Sequence, residues 1–195
     1  MLTVCRGNIS RSPAAEHLLR SHLDGRFSVA SAGVGAHMVQ GDPMDRWTLA
    51  MLGKLGVDGR GHRARQLARP LIERAELILA MSLDQRSWIA AEVPQALPRT
   101  FTLREFARLA VAVRGFQSQS VAEMIGRAAA NRAVYPVAPG GSDEIRDPAG
   151  GTLDDFRAAV EAVRQCSVQI ARELNGHDRL RGVVAPVRRS VRLAF

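Results

Sequence analysis

The sequence predicts an α/β domain built on a largely parallel sheet. Short apolar runs alternate with stretches of helical periodicity from the N-terminus onward, the pattern of successive β-α-β units. The 195 residues suit one domain with a substantial core, and 46% hydrophobic with 24% charged residues lie in the globular range. In such sheets ligands bind at the carboxyl ends of the strands.

The elements follow in order. "LTVC" (2–5) reads as a short buried strand, and "SRSPAAEHLLRSHL" follows with helical spacing, Pro13 sitting in a first turn. "FSVASAG" is a second strand closed by a glycine turn. "DPMDRWTLAMLGKLGV" is helical, with Asp42 expected to cap a helix that begins near Pro43. "AELILAM" (75–81) is the clearest strand, followed by a helix over "SLDQRSWIAAEV". "PRTFTL" is a fourth strand running into the helix "REFARLAVAV". The last helix is "TLDDFRAAVEAVRQCSVQIAREL", where Thr152 and Asp155 resemble a capping box. Between them, residues 110–140 form a long connection with one short helix, and 176–195 reads as a basic tail beyond a domain of residues 1–175.

Composition narrows the function. A net charge of +8 and a pI near 11.1 invite a nucleic-acid reading. Against it, the arginines are scattered along helical stretches, aromatics are only 5%, and no helix-turn-helix or zinc-finger spacing is present. No nucleic acid is expected as a partner; a basic surface suits other anionic partners, phosphorylated proteins included. No apolar run has membrane-spanning length and the N-terminus lacks the layout of a secretory signal, so the expectation is a cytoplasmic protein without a membrane partner. The two cysteines are far apart and suggest neither a disulfide framework nor a zinc site.

Cys5 ends the first strand, with Arg11 six residues on. That spacing alone is weak: two cysteines in so arginine-rich a chain give about 0.27 chance matches. Cys166 and Arg172 repeat it inside a helical stretch. What distinguishes the first copy is its place between a strand and a helix. A loop there can curl, turning consecutive N–H groups inward at the positive end of the helix. "CRGNISR" carries Gly7 and Asn8, both tolerant of positive φ. Such a setting favours the thiolate form of a cysteine and surrounds a tetrahedral oxyanion with donors from residues 6–11 (Arg6, Gly7, Asn8, Ile9, Ser10, Arg11). The Arg11 fork completes the cradle, and Ser12 can donate to the sulfur.

"VCRGNISRSP" resembles the loop of the low-molecular-weight protein tyrosine phosphatases, V-C-x-G-N-x-x-R-S-P, at every fixed position. The resemblance continues through "SAG" (31–33), "GHRARQL" (61–67), "AELILAM" and "DP" (147–148). It implies a four-stranded parallel twisted sheet flanked by helices on both faces, a phosphate loop between the first strand and helix, and neither metal nor cofactor. It implies that Cys5 attacks phosphorus and that Asp147 is the general acid and then base. Ser12, Ser31 and His62, with Asn8, match the polar network that holds the loop. The implied partners are a phosphotyrosine-containing protein and inorganic phosphate or a similar oxyanion.

Some positions depart from the family pattern. Ser10 replaces the loop cysteine that many relatives can oxidise to a disulfide. Ala149, Gly150 and about His37 stand where relatives often carry aromatics, thinning the walls around a phosphotyrosine ring. The long connection could supply cover through Phe116 or Tyr135, or be a plain surface insertion. Ile9 favours an aryl phosphate, since relatives acting on phosphoarginine tend to carry threonine there. Two alternatives stay open: an arsenate reductase of the same fold that uses a small-thiol reductant, and a catalytically weak phosphate-binding regulatory module.

Overall fold

Strand β1, Leu2–Cys5, runs up the middle of a four-stranded, all-parallel sheet in the order β2-β1-β3-β4, where β2 is Ala30–Gly33, β3 is Ile78–Ala80 and β4 is Thr100–Thr102. The computed structural model describes residues 1–114 and 120–179. The helices are α1 (Arg11–His22), α2 (Arg46–Lys54), α3 (Arg69–Arg74), α4 (Leu83–Glu92), α5 (Leu103–Val113), α6 (Val121–Ala130) and α7 (Leu153–Arg179), with 3₁₀ turns at Ala36–Val39 and Pro94–Arg99. The order of alternation is the one the hydrophobic pattern predicts.

Strand alternation divides the core. Cys5, Leu77, Leu79 and Phe101 join a cluster with residues of α1, α5, α6 and α7, while Leu2, Val4, Ile78 and Ala80 pack with Ile72 of α3 and Ile89 of α4. Every strand residue except Ala30 is buried. This explains why the strands read as continuous apolar runs rather than alternating ones. Because the chain leaves β1 for β2 on one side and takes up β3 on the other, the carboxyl end of β1 borders the crevice where such sheets bind ligands.

Helix starts follow local chemistry. Thr102 and Glu105 form a reciprocal capping box at α5, each side chain bonding the other's backbone N–H (3.1 Å in both directions). Thr152 and Asp155 are likewise paired at the start of α7, as expected from the sequence. The expected cap of α2 is corrected: the helix starts at Arg46, and Asp45 accepts from the N–H groups of Trp47 (2.9 Å) and Thr48 (3.1 Å). Asp42 could not begin it. Its main chain is tied to Ala64 at 2.8 Å, and the Asp45 N–H is drawn to the Ile9 carbonyl at 2.7 Å, so the helix begins only after that anchor.

The region 110–140 holds the end of α5, α6 and a turn. Tyr135 is partly buried against the core and its carbonyl accepts from Arg108 Nη1; Phe116 lies outside the described residues. α7 runs to Arg179, four residues into the stretch read as tail, and 180–195 lie outside the described residues. Among the described residues no helix is long and apolar enough to cross a membrane.

The capping assignment gives a direct expectation. Asp45→Ala should lower the unfolding free energy by about 1 kcal/mol, read from the urea midpoint, whereas Asp42→Ala should leave it within a few tenths of that measurement's error.

Candidate active site

The loop from Cys5 to Arg11 joins β1 to α1, and its shape rests on one residue. Asn8 has φ 55°, the only non-glycine residue with positive φ among the described residues. A single left-handed residue of this kind costs on the order of 1 kcal/mol. Asn8 is fully buried and offsets that cost with five hydrogen bonds: N–H to Cys5 Sγ at 3.2 Å, Nδ2 to Ser12 Oγ (2.9 Å) and Ser31 Oγ (2.8 Å), Oδ1 from Arg65 N–H (2.9 Å), and its carbonyl from His62 Nε2 (2.6 Å). All the polar capacity of its side-chain nitrogen is used, which fixes the amide's orientation.

This network also sets proton directions. Ser12 Oγ accepts from Asn8, so its single hydrogen goes either to Cys5 Sγ at 3.0 Å or to the Ala32 carbonyl at 3.4 Å, the sulfur being the nearer acceptor. Ser31 Oγ accepts from the other Nδ2 hydrogen and donates to buried Glu16. The His62 ring donates from Nε2. Burial pushes this imidazole below its ordinary pKa, aided by His17 and Arg65 and opposed by the Asn8 carbonyl and Glu16. Thus Ser12, Ser31 and His62 all meet at Asn8.

Ser10 differs. Its backbone precedes α1, but its side chain makes no cap bond there and instead meets Thr48 Oγ1 at 2.8 Å, clamping α2 to the loop. Only its main chain can serve an anion. The Arg6 side chain is exposed, while its carbonyl accepts from Gly35 N–H at 2.9 Å. Gly7 and Ile9 are half-buried, with Ile9 and Val39 flanking the glycine.

Arg11 begins α1 yet its side chain is only 5% exposed. Nη1 donates to the Ile145 carbonyl at 2.9 Å and Nη2 to Asp147. Ile145 is itself buried and anchored by its N–H to the Met81 carbonyl at 2.9 Å, just past β3. Asp147 is therefore held over the loop by the sheet, although 136 residues of sequence separate it from Arg11. The turn behind it is closed by Gly151 N–H to the Pro148 carbonyl (2.9 Å), with Gly150 at φ 77°. Asp143 and Glu144, the neighbouring acids, are engaged elsewhere: the first accepts from Arg108 (2.7 Å), the second from Leu83 N–H (2.8 Å).

Cys166 lies within α7, and both cysteines are free. Burial pushes the Cys166 thiol up, so its Cys-x5-Arg pattern has none of the loop's features. Among the described residues no cluster of three His, Cys, Asp or Glu could hold a metal ion.

The sequence model of the low molecular weight phosphotyrosine protein phosphatase family matches residues 1–111. The chain belongs to that family. It is 44% identical over 105 residues, 54% of this chain and 70% of the relative, to the probable low molecular weight protein-tyrosine-phosphatase EpsP of Ralstonia solanacearum. Among solved structures it resembles the YwlE arginine phosphatase from Geobacillus stearothermophilus, with TM-score 0.69 and 28% identity over 92% of this chain and 94% of that one. It shares the fold of Vibrio vulnificus Wzb in complex with benzylphosphonate, with TM-score 0.67 and 24% identity, covering 89% of this chain and 97% of that one. The family match contains the loop of this low-molecular-weight phosphatase but stops short of Asp147, whose place beside Arg11 is a finding of the structure.

Sequence reasoning missed Glu16, Arg65, Thr48 and Ile145. Glu16 had a signal, since it lies four residues after Ser12 on the same face of α1. Arg65 sits within "GHRARQL". Thr48 and Ile145 act through contacts no local pattern announces.

Gly33, the last residue of "SAG", explains that motif. A Cβ there would fall 2.5 Å from the Arg6 carbonyl oxygen and 2.9 Å from the Asn8 nitrogen. Gly33→Ala should therefore displace the loop, lowering the melting temperature and weakening oxyanion binding by calorimetry. Gly53→Ala on α2, where a Cβ meets nothing within 4 Å, should be neutral or mildly stabilising.

Proposed function

We propose that this chain hydrolyses aryl phosphate monoesters, phosphotyrosine in a protein substrate above all, through a phosphocysteine intermediate. The observation that carries the reading is the convergence at one loop of a buried cysteine sulfur, a serine hydroxyl directed at it and an arginine fork shared with Asp147. Cys5 attacks phosphorus as the thiolate, forming the S–P bond as the P–O bond to the phenol breaks. The loop N–H groups and Arg11 stabilise the equatorial oxygens. Asp147 gives its proton to the departing phenolic oxygen. It then takes one from the water that forms the new P–O bond and breaks S–P, releasing inorganic phosphate and restoring the thiolate. The residues assigned to hold the phosphate are 6–11, with Ser12, Ser31 and His62 supporting the loop. Every step is supplied by side chains and the loop main chain. Two free cysteines agree with a cytoplasmic setting.

The likeness to an arginine phosphatase supports a second substrate class, phosphoarginine. Ile9 and Val39 beside Gly7 favour the aryl ester, because an apolar flank leaves the N–H groups of a phosphoarginine guanidinium without acceptors. Parallel hydrolysis of phosphotyrosine and phosphoarginine peptides decides it: the first should be turned over faster, and the reverse order would transfer the assignment to phosphoarginine.

Cys5→Ser should abolish turnover while retaining oxyanion binding, since the loop amides and Arg11 remain; full activity would end the proposal. Asp147→Asn should slow phosphorylation of the enzyme by about 10²–10⁴-fold for phenyl phosphate, and progressively less as the leaving phenol becomes more acidic. Single-turnover rates across an aryl phosphate series measure this. A uniform loss across the series would leave Asp147 only a role in shaping its loop.

A further inference from the structure

A second cavity, about 360 Å³, adjoins the phosphate loop's supporting network, and neither Cys5 nor Arg11 lines it. Its walls include Glu16, His17 and Arg20 of α1 and His62, Arg63 and Arg65 of the segment after α2. Three guanidiniums thus face one carboxylate. That carboxylate is already taken, by Arg20 at 2.8 Å and by the Ser31 hydroxyl.

The arginines are anchored in part and available in part. Arg20 gives Nε and Nη2 to the Val29 carbonyl (2.9 and 2.6 Å), Arg63 gives Nη1 to the carbonyls of Arg60 and His62, and Arg65 gives Nε to the Ser31 carbonyl (2.6 Å). Among the described residues no acceptor meets Nη1 of Arg20, Nη2 of Arg63 or either Nη of Arg65. The forks are therefore held in place with donors to spare, the arrangement that recognises phosphoryl oxygens. Asp58, in the loop after α2, is bound by Arg60 at 2.9 Å through both Nε and Nη2.

We propose that this cavity binds a compact polyanion of the diphosphate class, and that its occupancy tightens the phosphate loop through His62. The excess of guanidiniums over carboxylates calls for more than one negative charge, and the volume exceeds that of a single tetrahedral oxyanion. The link to the loop is the 2.6 Å bond from His62 Nε2 to the Asn8 carbonyl. In the free protein, burial above all, with His17 and Arg65, holds the ring toward its neutral form, opposed by the Asn8 carbonyl and Glu16. An anion beside these groups cancels the repulsion and favours the imidazolium. A charged donor makes the stronger bond to Asn8, holding that residue more firmly at positive φ.

The test is an NMR titration of the full chain with inorganic pyrophosphate, following histidine ring signals, against chloride at equal ionic strength. The His17 and His62 signals should shift saturably with pyrophosphate and not with chloride. His37, on the turn beside the phosphate loop, reports binding at Cys5 and Arg11 separately. In Arg11→Met the His37 response should fade while the His17 and His62 shifts persist. In Arg63→Gln, an exposed position outside the loop, pyrophosphate should bind the cavity about tenfold more weakly, with the His37 response unchanged. At saturation the His62 pKa should rise. Titrating ADP in parallel separates the two sources of this chemistry: weaker binding than pyrophosphate points to the free diphosphate, tighter binding to a nucleotide. If His17 and His62 follow His37 with one midpoint and Arg63→Gln changes nothing, there is no second site. If they titrate but the His62 pKa stays put, the coupling to the loop is wrong. Should Arg11→Met fail to fold, the wild-type and Arg63→Gln curves still decide the question.

Discussion

The left-handed backbone of Asn8 is the constraint on which the site depends. It turns the chain between β1 and α1 so that the Asn8 N–H points back at Cys5 Sγ rather than away from it. An isolated chain would not hold this shape, because the local cost is unfavourable and no neighbour in sequence repays it in full. Ser31 comes from β2, Arg65 and His62 from the loop after α2, and Ser12 from the first turn of α1. The loop is thus a product of the folded domain. Its polar groups are satisfied by one another, which is why so polar a cluster can be buried beside an apolar core.

The sheet acts as the ruler for the rest. The register that sets Cys5 opposite Gly33 brings the "SAG" glycine against the Arg6 carbonyl, where no side chain fits. On the other flank, Met81 follows β3 and receives the Ile145 N–H, and the Ile145 carbonyl in turn holds Arg11. One end of the sheet therefore positions both the loop and the acid segment. Tilting or shifting β3 relative to β1 would move Asp147 against Cys5, so rigidity of the central strands is a requirement of the proposed chemistry.

Legibility in the sequence differed by type of feature. The order of strands and helices was readable because each is short, continuous and bounded by turn residues. The capping pair Thr152–Asp155 was readable because its chemistry spans three residues. The α2 cap was misplaced at Asp42, since the anchor that fixes the start, Asp45 N–H on the Ile9 carbonyl, joins segments 36 residues apart. The packing of Tyr135 against the core joins it to elements far away in the chain and was not readable in its neighbours. For the same reason the role of Thr48 as partner of Ser10 was invisible.

By itself, then, the sequence determined the α/β class and the strand-loop-helix setting of Cys5 and Arg11, while the supporting network of Ser31 and His62 came only from a family resemblance. The class and the setting are local matters: periodicity, turn propensity and a contiguous motif. The tertiary structure decided how Asp147 is carried to the loop and how a second group of arginines comes to surround His62. The Asp-Pro motif singles out Asp147 from Asp143 and Glu144 by resemblance alone; the Met81–Ile145–Arg11 chain of hydrogen bonds is what carries it to the loop. Arg20 and Arg65 likewise line one cavity only because α1 packs on β2 while the segment after α2 runs along the edge of that strand, Gly33 N–H bonding the Arg65 carbonyl at 3.0 Å. Such choices rest on groups far apart in the chain, whose distances are set by strand register and helix packing, and neither quantity is encoded at any one position.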